Sequence, residues 1–254
     1  MKRRRPRPLR GQVALISGGA GDIGQAIARV LSAAGVRVAV GDVRPPAEIR
    51  TLARAHHYTQ VDVTDAASLA GWLARVEQDL GAATLIIPNA AIVEPAPRLQ
   101  TDLASWQRTL EVNLTGAFLL AQHAAARLVA ARRAGRIIFI GSWAAEAPHP
   151  RLAAYCAAKA GLRMAMQCLA LDLARHDILV NEVAPGRVDA GLSRRIFDRT
   201  PGLREKSRRE IPVGKLLDPE DVARAVLLLS QPDLTQVTGA VLLLDGGLSL
   251  VRAV

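Results

Sequence analysis

The stretch VALISGGAGDIG, residues 13–24, decides the fold class. A mostly apolar run of strand length leads into a glycine-rich turn, and a helical pattern begins directly after the turn. Such a turn is suited to binding phosphate, because glycine lets the backbone approach the ligand and the start of a helix presents free N–H groups. The stretch therefore predicts a nucleotide-binding α/β protein.

The glycines of this turn fit two different spacings. The pattern G-x-G-x-x-G of dinucleotide-binding proteins is matched by Gly19, Gly21 and Gly24. The spacing G-x-x-x-G-x-G is nearly matched through Gly18, Asp22 and Gly24, but an aspartate then occupies a glycine position. Either spacing leaves the turn a candidate phosphate site, and the residues alone do not choose between them.

Similar apolar runs alternate with longer helical patterns along the rest of the chain. The runs are VALIS (13–17), VRVAVGD (36–42), TLIIPN (84–89), RIIFIGS (136–142), ILVNEVAP (178–185) and AVLLLD (240–245), with a weaker run, HYTQV, between the second and third. This alternation is typical of a parallel sheet with crossover helices. We therefore expect a single Rossmann-type domain over residues 11–254, with a doubly wound, seven-stranded parallel sheet, helices on both faces and a ligand crevice at the carboxyl ends of the strands.

One segment departs from the alternation, and we refer to residues 187–215 as the insertion. A long insertion at this point of an α/β fold is a candidate lid over the crevice. It contains nine lysines and arginines against four acidic residues. The charge would suit an anionic substrate, but an arginine-rich, solvated helix explains the composition equally well.

The net charge of +10 is concentrated at the start of the chain. Six of the positive charges are Lys2, Arg3, Arg4, Arg5, Arg7 and Arg10, so the rest of the chain carries only +4. We expect residues 1–10 to form a disordered basic tail. Only 3% of the residues are aromatic, which argues against base stacking, and we expect no nucleic-acid partner.

No uninterrupted apolar run approaches the ~18 residues that span a bilayer, and no apolar segment follows the basic start as in a secretory signal. We therefore expect a cytoplasmic protein without membrane contact. Cys156 and Cys168 lie twelve residues apart on one predicted helix, roughly 18 Å, which is too far for a disulfide. We expect both to be buried as small hydrophobic residues.

An acidic residue ends the second predicted strand. Asp42 lies 18 residues beyond Gly24, where a carboxylate accepts hydrogen bonds from the adenosine ribose and repels a 2′-phosphate. Arg44, two residues later, would tolerate that phosphate. The sequence thus favours NAD, with NADP as the alternative.

A second group of polar residues follows the later strands. Tyr155 and Lys159 are four residues apart, so they share one face of a helix. The ammonium group, helped by a nicotinamide ring that is positive when oxidised, should lower the pKa of the tyrosine. Ser142 ends a strand thirteen residues before Tyr155, and Asn113 lies in VNLTG on the helix after IIPNAA. The segment VAPGRV follows the next strand.

In these residues the sequence resembles the classical short-chain dehydrogenase/reductase family, from Gln12 to about Leu250. The resemblance implies that Asn113, Ser142, Tyr155 and Lys159 are catalytic. Tyr155 would exchange a proton with the substrate oxygen, Ser142 would hold that oxygen, Lys159 would bind the nicotinamide ribose, and Asn113 would hold a proton-relaying water. It also implies a homotetramer or dimer.

The resemblance and the turn together predict the cofactor contacts. These residues are Gly18, Gly21, Asp22, Ile23, Gly24, Asp42, Asp62, Val63, Asn89, Ala90, Tyr155, Lys159, Pro185, Gly186 and Val188. For the substrate pocket we predict Glu94, Ser142, Trp143 and Tyr155, and we expect no metal.

Three positions depart from the family pattern. Asp22 replaces the middle glycine of the turn, Ala91 the last glycine of Asn-Asn-Ala-Gly, and Ala190 a frequent threonine. A carboxylate aimed at a pyrophosphate would repel it. We therefore predict that Asp22 turns back as the N-cap of its helix, with Gln25 completing a capping box.

The expected activity is NAD(H)-dependent interconversion of a secondary alcohol and a ketone by hydride transfer, with a small-molecule substrate. An NADP(H)-dependent ketone or 3-ketoacyl reductase is the alternative within the family. A non-catalytic nucleotide sensor on the same fold is the alternative from another class, although such a protein would normally have lost one of the four catalytic residues. A sugar-nucleotide epimerase would need a longer C-terminal domain.

Overall fold

The structure is a computed structural model that describes residues 9–49, 52, 56–96 and 100–251. Its strands are β1 (Val13–Ser17), β2 (Arg37–Asp42), β3 (His57–Gln60), β4 (Leu85–Ile87), β5 (Gly135–Ile140), β6 (Ile178–Pro185) and β7 (Val241–Leu244). Its helices are α1 (Asp22–Ala33), α2 (Ala66–Leu80), α3 (Leu103–Leu110), α4 (Ala117–Ala130), α5 (Ala153–Leu173), α6 (Gly191–Arg199), α7 (Leu203–Arg209) and α8 (Pro219–Leu229). A wider π-helical segment, Glu111–Gly116, joins α3 to α4.

The seven strands form one parallel sheet in the order β3-β2-β1-β4-β5-β6-β7. The strand order reverses between β1 and β4, where Ile16 pairs with Val40 on one side and with Ile87 on the other. In a doubly wound sheet the crevice for a ligand opens at this point, beyond the carboxyl ends of the strands. The predicted Rossmann-type fold and its seven strands are confirmed.

Helices cover both faces of the sheet, which explains why the strands are apolar without alternation. In β1, Ala14 and Ile16 join a core that includes residues of α1 and α8, whereas Val13 and Leu15 join a second core with residues of α2, α4 and α5. Both faces of this strand are therefore sealed from water. The strand cannot slip by one residue without exchanging the two sets of side chains.

Side-chain caps set several helix starts. The Asp65 carboxylate accepts a hydrogen bond from the Ala67 N–H at 2.8 Å before α2, and Asp102 accepts one from the Ser105 N–H at 2.8 Å before α3. Helix α1 has no such cap, because the residue before it is Gly21. Its first N–H groups therefore stay directed at the crevice.

The described residues also bear on the outer parts of the chain. The insertion contains α6 and α7. Of the predicted basic tail, residues 1–8 lie outside the described residues, while Leu9 packs into the core. Across the part of the chain that the structure describes, no helix is long and apolar enough to cross a membrane.

The prediction for the cysteines is only partly right. Both are free and both lie on α5, but Cys168 is exposed and Cys156 is half-buried. They lie on faces of the helix that are not fully covered by the sheet. The expectation that both are buried is therefore wrong.

Candidate active site

The glycine turn is packed against the end of β4. Gly18 has a φ of +60°, and a Cβ atom at this position would come within 2.6 Å of the Ala90 Cα. The side-chain amide of Asn89 donates to the carbonyl oxygens of Ser17 and Gly18 at 3.0 and 2.9 Å. The Ser17 hydroxyl in turn accepts the N–H groups of Asn89 and Ala90. These contacts hold open a backbone cradle at the start of α1.

Gly24 has a different role in the same turn. A Cβ atom there would lie 2.5 Å from the Cα of Gly19, so Gly24 is needed where α1 packs against the turn. Gly21 borders open space, because a Cβ atom there would meet only the Gly18 carbonyl oxygen, at 3.4 Å. It leaves space in front of the helix start, where a phosphate group would approach.

The predicted capping box at Asp22 is wrong. Helix α1 begins at Asp22 itself, so its side chain projects away from the helix's own first N–H groups. The Asp22 carboxylate instead accepts the N–H of Gly191 at 2.9 Å and lies 3.5 Å from the guanidinium of Arg194. Gln25 donates to the carbonyl oxygen of Ala20 at 2.8 Å. Asp22 thus connects the glycine turn to the first turn of α6 in the insertion.

Asp42 lies at the end of β2, beside the turn, and is buried. Its carboxylate accepts the Ala20 N–H at 3.0 Å and both the main-chain N–H and the Nε of Arg44 at 3.2 Å. The Arg44 guanidinium therefore neutralises the Asp42 carboxylate instead of extending freely from the loop. The Tyr58 hydroxyl donates to the carbonyl oxygens of Asp42 and Arg44 and fixes this loop further.

Tyr155, Lys159 and Ser142 line the same cleft as the turn. Lys159 is buried, and its ammonium group donates to the Ile140 carbonyl oxygen at 2.9 Å and lies 5.8 Å from the centre of the Tyr155 ring. The Ser142 Oγ accepts the Ala144 N–H at 3.1 Å. The hydroxyl has one donor besides, its O–H, and it acts on the Tyr155 hydroxyl in the same cleft.

Burial controls the acidities of this group. Burial raises the pKa of Tyr155 above its ordinary value of 10.0, and the Ser142 hydroxyl opposes the rise. Burial also lowers the pKa of Lys159 to about 8, although the carboxylate of Glu182 favours the charged form. In the protein without a nicotinamide ring, loss of water therefore dominates the pKa of Tyr155, and the lowering expected beside the oxidised ring stays a prediction.

Asn113 lies behind the cleft and not on its wall. It is fully buried in the π-helical segment, where its side-chain oxygen accepts the Ile92 N–H at 2.7 Å and its amide donates to the Ile92 carbonyl oxygen at 2.8 Å. This reciprocal pair fixes the loop that follows β4. The side-chain oxygen thus already accepts one hydrogen bond, from Ile92, and the role of Asn113 in holding a water stays a prediction.

The substrate end of the cleft has a mainly apolar wall. Its lining side chains include Ile92, Val93, Pro95, Trp143, Pro148, Pro150, Leu152 and Ile196. Trp143 meets His149 edge to face at 4.5 Å between ring centres. Of the predicted pocket residues, Glu94 does not line the cleft: it accepts the Ser105 hydroxyl at 2.8 Å and lies 3.8 Å from Arg108.

Arg151 stands at this end with a left-handed backbone, φ +68°, which is uncommon for a residue other than glycine. Its carbonyl oxygen accepts the Ala96 N–H at 3.0 Å, so the strained turn is tied to the loop after β4. The other arginines on the cleft wall are paired with acidic residues, namely Arg44 with Asp42, Arg108 with Glu94 and Arg187 with Glu210. Within the described residues, the Arg151 guanidinium has no acidic partner.

The cleft gathers most of the residues predicted from the sequence. The predicted residues on its wall are Gly18, Gly21, Asp22, Ile23, Gly24, Asp42, Asp62, Val63, Asn89, Ala90, Ser142, Trp143, Tyr155, Lys159, Pro185, Gly186 and Val188. Ala91 and Ala190 also line it. Its volume of about 1180 Å³ exceeds that of a typical drug-sized site, and the glycine cradle with its free helix start fits a dinucleotide. Among the described residues, no cluster of side chains has the composition of a metal site.

Sequence reasoning missed two charged residues beneath the cleft. Glu182 is buried on β6, and its carboxylate accepts hydrogen bonds from Arg163 on α5 at 2.9 and 3.0 Å. The signal was present, since a lone glutamate in the apolar run ILVNEVAP needs a buried partner. Its partner lies on another element, nineteen residues away in the chain.

Comparison with known proteins identifies the family. The family described as Enoyl-(Acyl carrier protein) reductase matches residues 18–249. A cis-4-hydroxycyclohexanecarboxylate dehydrogenase from Sinomonas cyclohexanicum is 35% identical over 246 residues, which cover 94% of this chain and 97% of the relative. The chain belongs to the short-chain dehydrogenase/reductase family.

Other members of the short-chain dehydrogenase/reductase family align along nearly their full length. A 2,3-dihydro-2,3-dihydroxybenzoate dehydrogenase from Bacillus subtilis (strain 168) is 31% identical, covering 95% of this chain and 97% of the relative. The crystal structure of a gluconate 5-dehydrogenase from Burkholderia cenocepacia J2315, in complex with NADP and tartrate, superimposes with a TM-score of 0.87 at 27% identity, covering 96% of this chain and 98% of that one. This chain is thus a nucleotide-binding oxidoreductase, as the resemblance implied.

Proposed function

We propose that this protein uses NAD to oxidise a secondary alcohol to a ketone and catalyses the reverse reduction with NADH. The observation that supports this most strongly is that Tyr155, Lys159 and Ser142 line one cleft with the glycine cradle and Asp42. NAD, when bound, supplies the acceptor for the hydride that leaves the alcohol carbon. The chain supplies the base, the orientation of the substrate and the exclusion of water.

In this proposal Tyr155 takes the hydroxyl proton of the alcohol. Burial raises the pKa of Tyr155, so the tyrosinate needs positive charge nearby, and the ammonium group of Lys159 is the buried cation that provides it. The Ser142 O–H donates to the substrate oxygen, while the hydrogen bond from the Ala144 N–H fixes the position of the Ser142 Oγ. In the reverse direction the Tyr155 hydroxyl returns the proton to the carbonyl oxygen.

The choice of NAD over NADP rests on Asp42. Its carboxylate accepts ribose hydroxyl groups and repels a 2′-phosphate, and Arg44, the residue that would pair with that phosphate, is already bound to Asp42. One neighbouring structure holds NADP. NADP therefore stays the alternative cofactor for this chain.

For the substrate we propose a cyclic secondary alcohol that carries a carboxylate. The apolar wall beside Trp143 suits an alicyclic ring, and the unpaired guanidinium of Arg151 suits an acidic group at its far side. Names of relatives agree with this class, including cis-4-hydroxycyclohexanecarboxylate and 2,3-dihydro-2,3-dihydroxybenzoate dehydrogenases. The arginines of the insertion contribute less, because Arg187, Arg194 and Arg204 are paired with acidic residues.

We further propose that the protein acts as a homotetramer, or a dimer, in the cytoplasm. Helix α5 exposes Met164 and Leu171, and close packing of such alanine-rich helices between subunits would cover them. The two free cysteines suit a reducing compartment.

The test is a screen of cyclic alcohols, hydroxy acids, polyols and β-ketoacyl thioesters with NAD and with NADP, for the wild type and for Tyr155→Phe. We expect NAD-dependent turnover that falls about 10²- to 10⁴-fold in Tyr155→Phe, while NADH binding measured by fluorescence is retained. Turnover at the wild-type rate in Tyr155→Phe would remove the proposed base. NADH binding without turnover of any compound would support the nucleotide sensor instead.

Arg151→Gln tests the substrate class. Losing a charge-assisted hydrogen bond should raise the KM for 4-hydroxycyclohexanecarboxylate about 10- to 100-fold and leave the KM for the neutral 4-methylcyclohexanol unchanged. Arg133→Gln, an exposed arginine away from the cleft, is the matched control. An equal effect of Arg151→Gln on both alcohols would show that the arginine only shapes the wall.

A further inference from the structure

A buried ion pair lies directly beneath the proposed catalytic residues. Glu182 on β6 is 1% exposed, and both of its carboxylate oxygens accept hydrogen bonds from Arg163, at 2.9 and 3.0 Å. The chain leaves room for this carboxylate at Gly141, where a Cβ atom would lie 1.9 Å from the Glu182 Oε1. Strand β5, helix α5 and strand β6 therefore meet around one negative charge.

Stability does not explain such a pair. Removing two charges from water costs several kcal/mol for each ion, and a well-packed apolar pair at the same place is often equally stable or better. A carboxylate in the middle of an apolar strand therefore points to another use. The residues around the pair indicate what that use is.

The pair contacts the active site in two ways. Arg163 donates to the carbonyl oxygen of Ser142 at 3.2 Å and so holds the main chain of the residue that faces the substrate. The Glu182 carboxylate lies against Gly141, the residue after Ile140, whose carbonyl oxygen accepts the Lys159 ammonium group at 2.9 Å. From this position its negative charge favours the ammonium form, which burial opposes. On its outer side Arg163 also pairs with Glu146, which is exposed.

We propose that Glu182 and Arg163 are positioning residues of the reaction: Glu182 supplies the buried negative charge that balances the Lys159 ammonium group, and Arg163 holds Ser142 in place. This inference rests on the proposed function of Tyr155 and Lys159. Two residues outside the cleft wall would thus maintain the charge of Lys159 and the position of Ser142, which are both on the wall.

Other charged or titratable groups lie on the elements that pack around Lys159. They are Tyr155, Cys156 and Arg163 on its own helix, Glu182 on β6, Glu146 after β5, and Glu111 of the π-helical segment, which lines the same cleft. Glu146 is exposed, so water screens its charge. Glu182 is the negative group that shares the dry interior with Lys159.

The decisive variant is Glu182→Gln, which keeps the shape and removes the charge. Without a buried negative charge every nearby group loses its proton more readily, so the midpoint of the pH profile of kcat/KM for oxidation should fall by about one pH unit. Glu146→Gln removes an exposed carboxylate from the same arginine and is the matched control. It should leave the midpoint where it is in the wild type.

A second readout does not depend on turnover. The chain has two tyrosines, so in a Tyr58→Phe background the ultraviolet absorbance of tyrosinate reports Tyr155 alone. We expect Glu182→Gln to lower the midpoint of that titration as well. If the wild type turned over no alcohol at all, the proposed function would fail, and this titration would still decide the role of Glu182.

The double variant Glu182→Leu/Arg163→Met addresses folding, because it leaves no unpaired buried charge and should be about as stable as the wild type. We expect its kcat/KM to fall about tenfold through the loosened Ser142, with a smaller pH shift than in Glu182→Gln because both charges are gone. A wild-type midpoint in Glu182→Gln by both readouts overturns the electrostatic role. A wild-type kcat/KM in the double variant overturns the positioning of Ser142.

Discussion

The two ends of the cleft differ in the kinds of chemical groups that form them. At the nucleotide end, main-chain groups and glycines form most of the surface, and apart from the buried Asp42 its charged side chains, such as Asp22 and Arg194, are half exposed. At the catalytic end, Lys159, Glu182 and Ser142 are all buried. Exposed charges interact weakly because water screens them, whereas a buried charge without its partner costs several kcal/mol.

This difference explains where the chain tolerates an unusual residue. Asp22 replaces a glycine of the family pattern, and the insertion accommodates it through Gly191 and Arg194. The catalytic end cannot accommodate a replacement in this way, because each buried group there depends on a particular neighbour. Substitutions at the catalytic end should therefore have larger effects than substitutions at the nucleotide end.

The largest effect is expected for Lys159→Met. Its kcat/KM should fall about 10²- to 10⁴-fold, as for other groups that support proton transfer. Its free energy of unfolding at pH 7 should nevertheless rise, because a buried ammonium whose pKa is lowered from 10.5 to about 8 destabilises the folded state by about 3 kcal/mol. The lost hydrogen bond to Ile140 reduces that gain to about 2 kcal/mol.

The free energy of unfolding of the wild type should also change with pH in a definite direction. Between pH 8 and 10.5 the unfolded chain keeps the Lys159 proton that the folded protein has lost, so the wild type gains stability as the pH rises through this window. Below pH 8 the penalty is complete and constant. Urea unfolding across this range should show the gain in the wild type and in Lys206→Met, which changes an exposed lysine. A Lys159→Met protein that also showed the gain would contradict the assignment.

Gly141→Ala comes next. Its methyl group would meet the Glu182 carboxylate, which Arg163 holds in place, and we expect a loss of about 3 kcal/mol in the free energy of unfolding. Gly71→Ala on the exposed face of α2 meets nothing within 4 Å and should stabilise the protein by about 0.5 to 1 kcal/mol. Chemical denaturation measures the free energy of unfolding of both variants. Equal effects would show that the Glu182 carboxylate is no obstacle to a methyl group at Gly141.

At the nucleotide end, Asp42→Ser should weaken NADH binding about tenfold, or about 1.4 kcal/mol, and strengthen NADPH binding relative to it. Loss of the carboxylate also frees Arg44 to meet a 2′-phosphate. Asp79→Ser, which changes an aspartate away from the cleft, is the control. Fluorescence titrations with NADH and with NADPH measure the two affinities. An unchanged ratio of these affinities would show that Asp42 does not select between the cofactors.

The smallest effect is expected at Asp22. Asp22→Asn keeps an acceptor for the Gly191 N–H and removes the charge, so NADH should bind about threefold more tightly at low salt and less so at high salt. Asp22→Gly also loses the contact with the insertion. A tenfold or larger gain in Asp22→Gly would show that the carboxylate opposes the pyrophosphate strongly, against the view that Arg194 neutralises it.

Much of the site was readable from local patterns. The strand, turn and helix of residues 13–24 and the four-residue spacing of Tyr155 and Lys159 depend on neighbours in sequence, so the chain itself predicts them. The direction of Asp22 was not predictable, because its partners Gly191 and Arg194 lie far along the chain. The direction of Glu94 was not predictable either, because its partner Ser105 lies on a separate element, the helix α3.

The sequence by itself determined the parallel sheet, the nucleotide turn and the rim on which the polar residues gather, because periodicity and glycine spacing act over short distances. Only the tertiary structure decided which charges meet, such as Glu182 with Arg163 and Asp22 with the insertion. It also decided that burial raises the pKa of Tyr155 and lowers that of Lys159. The physical reason is that solvation and long-range pairing depend on the whole folded environment, which no local pattern contains.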